Sequence, residues 1–508
     1  MTTGELRRTD VAVGRFRVAS TVTTSELVGR VRELLDDGMR LALVSGRDDG
    51  THMRVTYLFT CGPPDRRVEL EVPLDRDHPS VPTLAALSFP ASRFERELQD
   101  LFGVEPVGHP QPRRLVLHQH WPDAWHPLRA DAGELPAFAD DTRSYPFVPV
   151  EGPGVYEIPV GPVHAGLIEP GHFRFWVVGE TILRMKARLW FVHKGIERQF
   201  EGMGPDEGLA LAECISGDSA VCHAVAYCEA IEDALGIEVT ENAGALRAVL
   251  LELERLYNHV ADIGALCNDV GFGLAQAWAL DLRERLLRLN REVTGHRLLR
   301  GGVAVGGATV ARLPSSDELD GITNQFEQII ELATGNALVM DRFRGAAVLG
   351  RAHAADLGVV GVAGRASGLT LDARVAHPLV APLGGFEPAV RSDGDVLARF
   401  EVRVEELRSS VALITHYSQA VDFLNDVAAA DVPPAPGHPT GVGIVEGWRG
   451  TLVHRVELDD VGRLVRVKVV DPSFHNWPAL PVSLADTIVP DFPLANKSFN
   501  LSYAGNDL

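Results

Sequence analysis

Two short stretches carry side chains suited to proton transfer. In Glu169-Pro170-Gly171-His172-Phe173-Arg174 a carboxylate and an imidazole stand three residues apart around a Pro-Gly turn, with a guanidinium close behind. A half-buried carboxylate beside a histidine can hold a raised pKa and pass protons. On an open surface the same residues are only a loop carboxylate and a histidine bonded to backbone. In Ser216-Gly217-Asp218-Ser219, shortly before Cys222-His223, two hydroxyls flank a carboxylate. Ser, Gly and Asp all favour helix starts, so this turn reads either as a helix cap or as a protonation site.

Soft-metal or redox chemistry would need cysteines in close pairs. The five present are Cys61, Cys214, Cys222, Cys228 and Cys267, and none forms a C-x-x-C. An odd number at wide spacing does not make a disulfide framework. Cys214, Cys222 and Cys228 read as small buried residues on a helical stretch.

The elements that must position these groups fall into two kinds. Residues 1–130 read as a small α/β domain. Residues 10–20 alternate like a strand, Ser25–Asp37 reads as a helix capped by Ser25, and Met39–Val44, Arg54–Thr60 and Val68–Val72 read as strands. Thr83–Phe102 is partly helical. Residues 131–158 are rich in Pro, Gly and Asp and read as a linker. Residues 159–508 read as a mainly helical bundle with β-rich peripheral segments, which makes the chain α+β. Ala243–Asn268 is the clearest helix, with Leu246, Val249, Leu250, Leu253, Leu256, Val260 and Ile263 on one apolar stripe. Glu252, Arg255, His259 and Asp262 recur on another face, either solvated or paired inside a bundle. Leu280–Leu299 reads as a second long helix, and alternating strands follow Thr440.

The net charge of −21 disfavours nucleic acid, whose phosphates would be repelled. No apolar run reaches the length of about 18 residues that spans a bilayer, and the first residues lack the apolar stretch of a secretion signal. A cytoplasmic location is expected.

Ordered motifs then give a resemblance. Residues 95–103 (Glu-Arg-Glu-Leu-Gln-Asp-Leu-Phe-Gly), His109-Pro110, Arg113-Arg114-Leu115 and His126-Pro127-Leu128-Arg129 resemble the C-type subunit of NADH-quinone oxidoreductase, a docking domain. Gly161-Pro162-Val163-His164, Glu169–Arg174, His193-Lys194-Gly195-Ile196-Glu197, Glu252–His259, Asp341–Gly345, Gly364–Gly368, Glu446-Gly447 and Pro472-Ser473-Phe474 resemble the D-type subunit of the same enzyme. They resemble still more closely the large subunits of group 4 nickel–iron hydrogenases, in which the C-like and D-like parts are fused.

In those hydrogenases two C-x-x-C pairs hold nickel and iron through soft, anionic thiolates. The matching positions here are Ser216, Ser219, Ser502 and Gly505. The resemblance therefore implies a member without a nickel–iron centre. The end at Leu508, without the extension that hydrogenase precursors lose after metal insertion, is expected to go with the lost ligands. Glu169, His172 and Asp218 are the expected catalytic residues, and His172, His223 and Arg174 the expected cofactor contacts. In the D-type subunit a histidine and a tyrosine hold a quinone headgroup. Their strict positions fall near Ile168 and Gly217, with His164 and His172 flanking. The implied function is that of the large subunit of a membrane-associated, complex I-like redox complex, coupling electron transfer to protonation in the former metal pocket. Alternatives are a quinone-binding subunit and a non-catalytic scaffold. The chain itself is expected to bind no cofactor, with quinone as the candidate acceptor. Expected partners are a small iron–sulfur subunit (4Fe–4S), antiporter-like proteins and other integral membrane subunits, and no nucleic acid. They would hold the chain on the inner face of the plasma membrane.

Overall fold

The computed structural model describes residues 7–11, 15–138, 145–166, 168–381, 383–421 and 437–508. The N-terminal part is built on a five-stranded sheet of β1 (Arg7–Val11), β2 (Arg15–Thr21), β3 (Arg40–Asp48), β4 (Met53–Cys61) and β5 (Asp65–Leu74). Its order is β1-β2-β5-β4-β3, with β2 and β5 parallel and the other neighbours antiparallel. Helix α1 (Thr24–Asp36) connects β2 to β3, and α2 (Phe89–Phe102) packs across β3. The cap of α1 is Thr23 rather than Ser25. Glu26, three residues on, reaches back to the Thr23 N–H at 2.9 Å, which only Thr23 is spaced to receive.

A second, three-stranded antiparallel sheet follows: β6 (Val155–Val160), β7 (His172–Val178) and β8 (Thr181–Arg188), with β7 in the middle. Val155 to Ile158, inside the segment read as a linker, thus form most of β6. The helical body contains α3 (Ala220–Leu235), α4 (Glu241–Asp269), α5 (Gly273–Thr294) and α6 (Val396–Ala420). A third sheet, β9 (Thr440–Gly447), β10 (Gly450–Leu458) and β11 (Leu464–Val470), lies against α3. Gly441 and Gly443 let α3 approach: a Cβ on either would sit 1.9 Å from a backbone carbonyl of α3. The chain then turns through α7 (Pro472–Asn476) into α8 (Tyr503–Asp507). Among the described residues no helix is long and apolar enough to cross a membrane.

Helix α4 is buried on nearly all sides, and its charge stripe is paired, not solvated. His259 Nε2 lies 2.7 Å from Glu406 on α6, Arg255 bonds Glu252 at 3.0 Å, and Arg403 of α6 bonds Asp262 at 2.9 Å. Burying Glu252, Arg255 and Asp262 is unfavourable unless each finds a partner: Glu252 and Arg255 pair within α4, and α6 supplies Arg403 to Asp262. Cys222 and Cys228 are buried on α3 as expected, but Cys214 is exposed because it precedes the helix.

Ions also join the two halves. Arg17 of β2 bonds Asp233 of α3 at 2.9 Å, Arg455 of β10 pairs with Glu69 of β5 at 3.1 Å, and Lys468 of β11 bonds Glu97 of α2 at 2.7 Å. A hydrogen bond joins them too: His377 Nδ1 lies 2.8 Å from Asp65 Oδ1, and burial holds the imidazole below its usual range, so it is neutral.

Candidate functional site

The turn before α3 and the turn before α8 lie 286 positions apart and meet: Ser216 Oγ is 2.9 Å from Ser502 Oγ. Ser502 caps α8, its hydroxyl accepting the Gly505 N–H at 2.8 Å. Its own N–H donates to Ser473 Oγ at 2.9 Å, and its carbonyl accepts Trp477 Nε1 at 3.1 Å. Ser216, Ser219, Ser502 and Gly505 therefore converge on one spot.

The centre of that spot is an ion pair. Arg449 grips Asp218 with both ends of its fork, Nη1 to Oδ1 and Nη2 to Oδ2, each at 2.7 Å. The same Nη1 reaches Ser219 Oγ at 3.0 Å, and Nε donates to the Asn500 carbonyl at 2.6 Å. The guanidinium lies 3.8 Å over the Trp448 ring, whose Nε1 donates to the Asp218 carbonyl at 2.9 Å. Burial alone would raise the Asp218 carboxyl; the guanidinium more than offsets this and holds it below the usual carboxylate range. Arg449 is held charged in return. Asp218 lies deep in the chain yet keeps 41 % of its side-chain surface open, while Arg449 keeps 6 %. The carboxylate thus keeps one face open to solvent beside a buried guanidinium.

These donors do not match a thiolate-held pair of metal ions. Hydroxyls are hard, neutral ligands, and here they hydrogen-bond to one another. A guanidinium stands among them. At Gly505 even a Cβ would lie 2.5 Å from the Asp471 carboxyl carbon, so no ligating side chain fits there. Among the described residues no group of three or more His, Cys, Asp or Glu is arranged to hold a metal.

Glu169 reaches the same spot from the other side. Its Oε2 accepts the Ala504 N–H at 3.1 Å, at the start of α8. Asp507, at the end of α8, is pushed up to about 6, by burial first and further by Glu169; it accepts the Val192 N–H at 3.0 Å. Lys194 is the nearby cation, lowered by burial and partly restored by Glu169, and its Nζ donates to the Ile215 carbonyl at 3.0 Å. A carboxylate pair and a lysine therefore border the turn that carries Ser502.

His223 is fully buried behind the turn. Its Nδ1 is 3.1 Å from His454 Nε2, and its Nε2 is 3.3 Å from Asp471 Oδ2. Burial, reinforced by His223, holds His454 well below the usual histidine range, so it is neutral.

His172 and Arg174 lie elsewhere. Side chains alternate along a strand. Phe173 faces inward, its ring 6.5 Å from Tyr503 and 5.1 Å from Phe492. His172 and Arg174 therefore face the opposite side of β7, where Phe147 lies 5.7 Å from the imidazole and 4.2 Å from the guanidinium. His172 Nδ1 lies 3.1 Å from the Gly161 carbonyl, and Arg174 pairs with Glu157 at 3.4 Å. Among the described contacts none joins either residue to the serine cluster. The structure thus brings Glu169 and Asp218 to one spot, with His223 behind it and the other two apart. Arg449, Asp471 and Asp507 belong to the site and escaped sequence reasoning. The signal for Arg449 was its place just after the Glu446-Gly447 motif.

A sheet domain fused to a helical body, in which a turn before a buried helix meets a C-terminal turn, defines a class: the pocket-bearing large subunits of hydrogenase- and complex I-type enzymes. The comparisons agree. Residues 20–135 match the family model of the respiratory-chain NADH dehydrogenase 30 Kd subunit, and residues 269–442 that of the 49 Kd subunit. Hydrogenase-4 component G of Escherichia coli is 31% identical over 483 residues, covering 92% of this chain and 83% of the relative. Formate hydrogenlyase subunit 5 of the same organism is 30% identical over 463 residues, 87% of this chain and 79% of the relative. The fused C/D subunit of NADH-quinone oxidoreductase from Phocaeicola vulgatus is 30% identical over 368 residues, 67% of this chain and 70% of the relative. The chain belongs to the group 4 hydrogenase-like family of oxidoreductase subunits, in which the 30 Kd and 49 Kd subunits are fused.

Proposed function

We propose that this chain is the large subunit of a membrane-associated redox complex that works without a nickel–iron centre. The observation that carries the reading is the Asp218–Arg449 pair, which stands among the positions where relatives of this type would place metal-binding thiolates. A small iron–sulfur subunit would deliver electrons beside this pair, and integral membrane subunits would complete the assembly. A quinone-type acceptor reduced there takes two electrons and two protons. Asp507, poised near 6, is placed to pass those protons from water to the acceptor one at a time, and Glu169, at the other end of α8, supplies negative charge that helps to raise it. Asp218 stays ionised and keeps Arg449 in position, so the pair would present a fixed dipole to an acceptor bound beside it.

A scaffold without turnover is the second reading, and the same pair favours it, because a satisfied ion pair also closes a pocket. Both readings meet one experiment on the assembled complex from a host with full nickel-maturation machinery. The expected outcome is no stoichiometric nickel by elemental analysis. Acceptor reduction should fall about 10²-fold in Asp507→Asn, the usual scale of lost acid–base catalysis, and less in Glu169→Gln, with the make-up of the assembly unchanged. About one nickel per chain would sink the first claim. Full turnover of the complex in both variants would mean that the acceptor is reduced away from these residues, which leaves this chain as the scaffold.

A further inference from the structure

A second cavity, independent of the serine turns, lies between the N-terminal domain and the three-stranded sheet, with a volume of about 440 Å³. One wall is α2, which contributes Arg93 and Arg96 one helical turn apart. The facing wall is β8, where Arg184, Lys186 and Arg188 follow the two-residue period and share one face. They stand opposite Trp176, Arg174 and His172 of β7 in the sheet register, so this is the same face that carries His172. Tyr145 and Trp190 close the cavity with aromatic surface.

Five cations gather here in a chain of net charge −21. Among the described residues no carboxylate lines the cavity or lies within 4.0 Å of any of the five. What partners they have are neutral. Arg96 donates to the Arg113 and Arg114 carbonyls at 2.7 and 2.9 Å, Arg93 to the Asn506 side chain at 3.2 Å, and Arg188 to the Leu115 and Leu117 carbonyls. Of the carboxylates behind them, Asp100 spends its Oδ2 on the Leu115, Val116 and Leu117 N–H groups, Glu97 bonds Lys468, and Asp507 accepts the Val192 N–H. The Nε atoms of Arg93 and Arg188 are buried without a hydrogen-bond partner. Like charges held this close repel one another unless an anion joins them. Lys186 records that repulsion: it is pushed down to about 8, by burial first and then by Arg96, Arg113, Arg93 and Arg184.

We propose that this cavity is a binding site for a phosphate-bearing ligand. Guanidinium forks from two facing walls match phosphate oxygens bidentately. The volume suits a molecule of nucleotide size, and the aromatic walls suit a planar or apolar remainder. An acidic polypeptide would instead track a linear surface, whereas these cations face one another across one cleft.

The test is isothermal titration calorimetry of the full chain at low salt with two probes, inorganic pyrophosphate and ADP. A phosphatidylglycerol vesicle against a phosphatidylcholine vesicle forms a third arm. The comparison protein is the double variant Arg184→Gln/Lys186→Gln, which touches neither serine turn and removes no described ion pair. One site per chain is expected for a soluble probe, weakened by about tenfold or more in the double variant. The thermal transition of that variant should be unchanged or higher. Retention on the anionic vesicle alone, lost in the double variant, also supports the site and assigns the phosphate to a lipid headgroup. The proposal is overturned if neither probe nor vesicle binds below about 1 mM, if the double variant binds as tightly as the parent, or if only a glutamate-rich peptide binds.

Discussion

The serine turns and the cationic cavity solve opposite problems with the same side chain. At the turns one arginine meets one carboxylate, each charge takes up the other, and hydroxyls fill what remains. In the cavity three arginines and a lysine face one another with backbone carbonyls and an amide as their described partners, and a further arginine stands at the edge. A guanidinium is easily placed where its counter-ion is built in, and costly where it is not. The first region is internally balanced; the second, among the described residues, is not.

Breaking the balance at the turns should have the largest effect. Arg449→Met leaves Asp218 without its cation, and denaturant unfolding of the full chain should show a loss of about 2–3 kcal/mol. That is below the range for fully enclosed pairs because Asp218 keeps 41 % of its side chain open. A loss under about 0.5 kcal/mol would mean that solvent already supports Asp218. The next effect is steric. Gly505→Ala drives a methyl into the Asp471 carboxylate, 2.5 Å away, and should cost about 1–3 kcal/mol. An unchanged midpoint would show that the C-terminal turn can shift and that the convergence is looser than described.

The smallest effect has the opposite sign and belongs to the cavity. Lys186 has a depressed pKa of about 8 in the folded chain against 10.5 for an ordinary lysine. Its charge therefore destabilises the fold in full below about pH 8, and the penalty fades as pH rises towards 10.5. Across that window the unfolded chain holds more protons than the folded one, so the parent should gain stability relative to Lys186→Met. Below the window the variant should be the more stable of the two. Parallel curves for the two proteins across that range would show that Lys186 feels no repulsion.

Much of this architecture was readable beforehand because it is written in periods. The 3,4 spacing of α4 and the alternation in β3, β4, β5 and the last three strands depend only on which face is buried. The pocket positions were readable through motifs, since residues so far apart as Ser216 and Ser502 cannot be joined by local pattern. Arg449 was not readable, because a guanidinium that closes a pocket and one that faces water look alike in a sequence. The grouping of His172 with Glu169 reflects the same limit in reverse. The loop places them three residues apart, but strand alternation starts at His172 and turns it to the far face with Arg174. Phe173 and Phe175, both apolar and both buried, were the local sign of that alternation.

The row of ions between the two halves gives the chain an unusual relation to its own continuity. Arg17–Asp233, Arg455–Glu69 and Lys468–Glu97 all bridge the N-terminal domain and the body without using the segment that connects them, as does the His377–Asp65 hydrogen bond. Covalent linkage there acts through effective concentration: it saves the two bodies a search, and adds nothing to the grip once they have met. Cleaved within residues 131–138, the protein would behave as a tight two-piece complex, and gene fusion or fission at that point becomes a change in how the parts find each other, not in what they form.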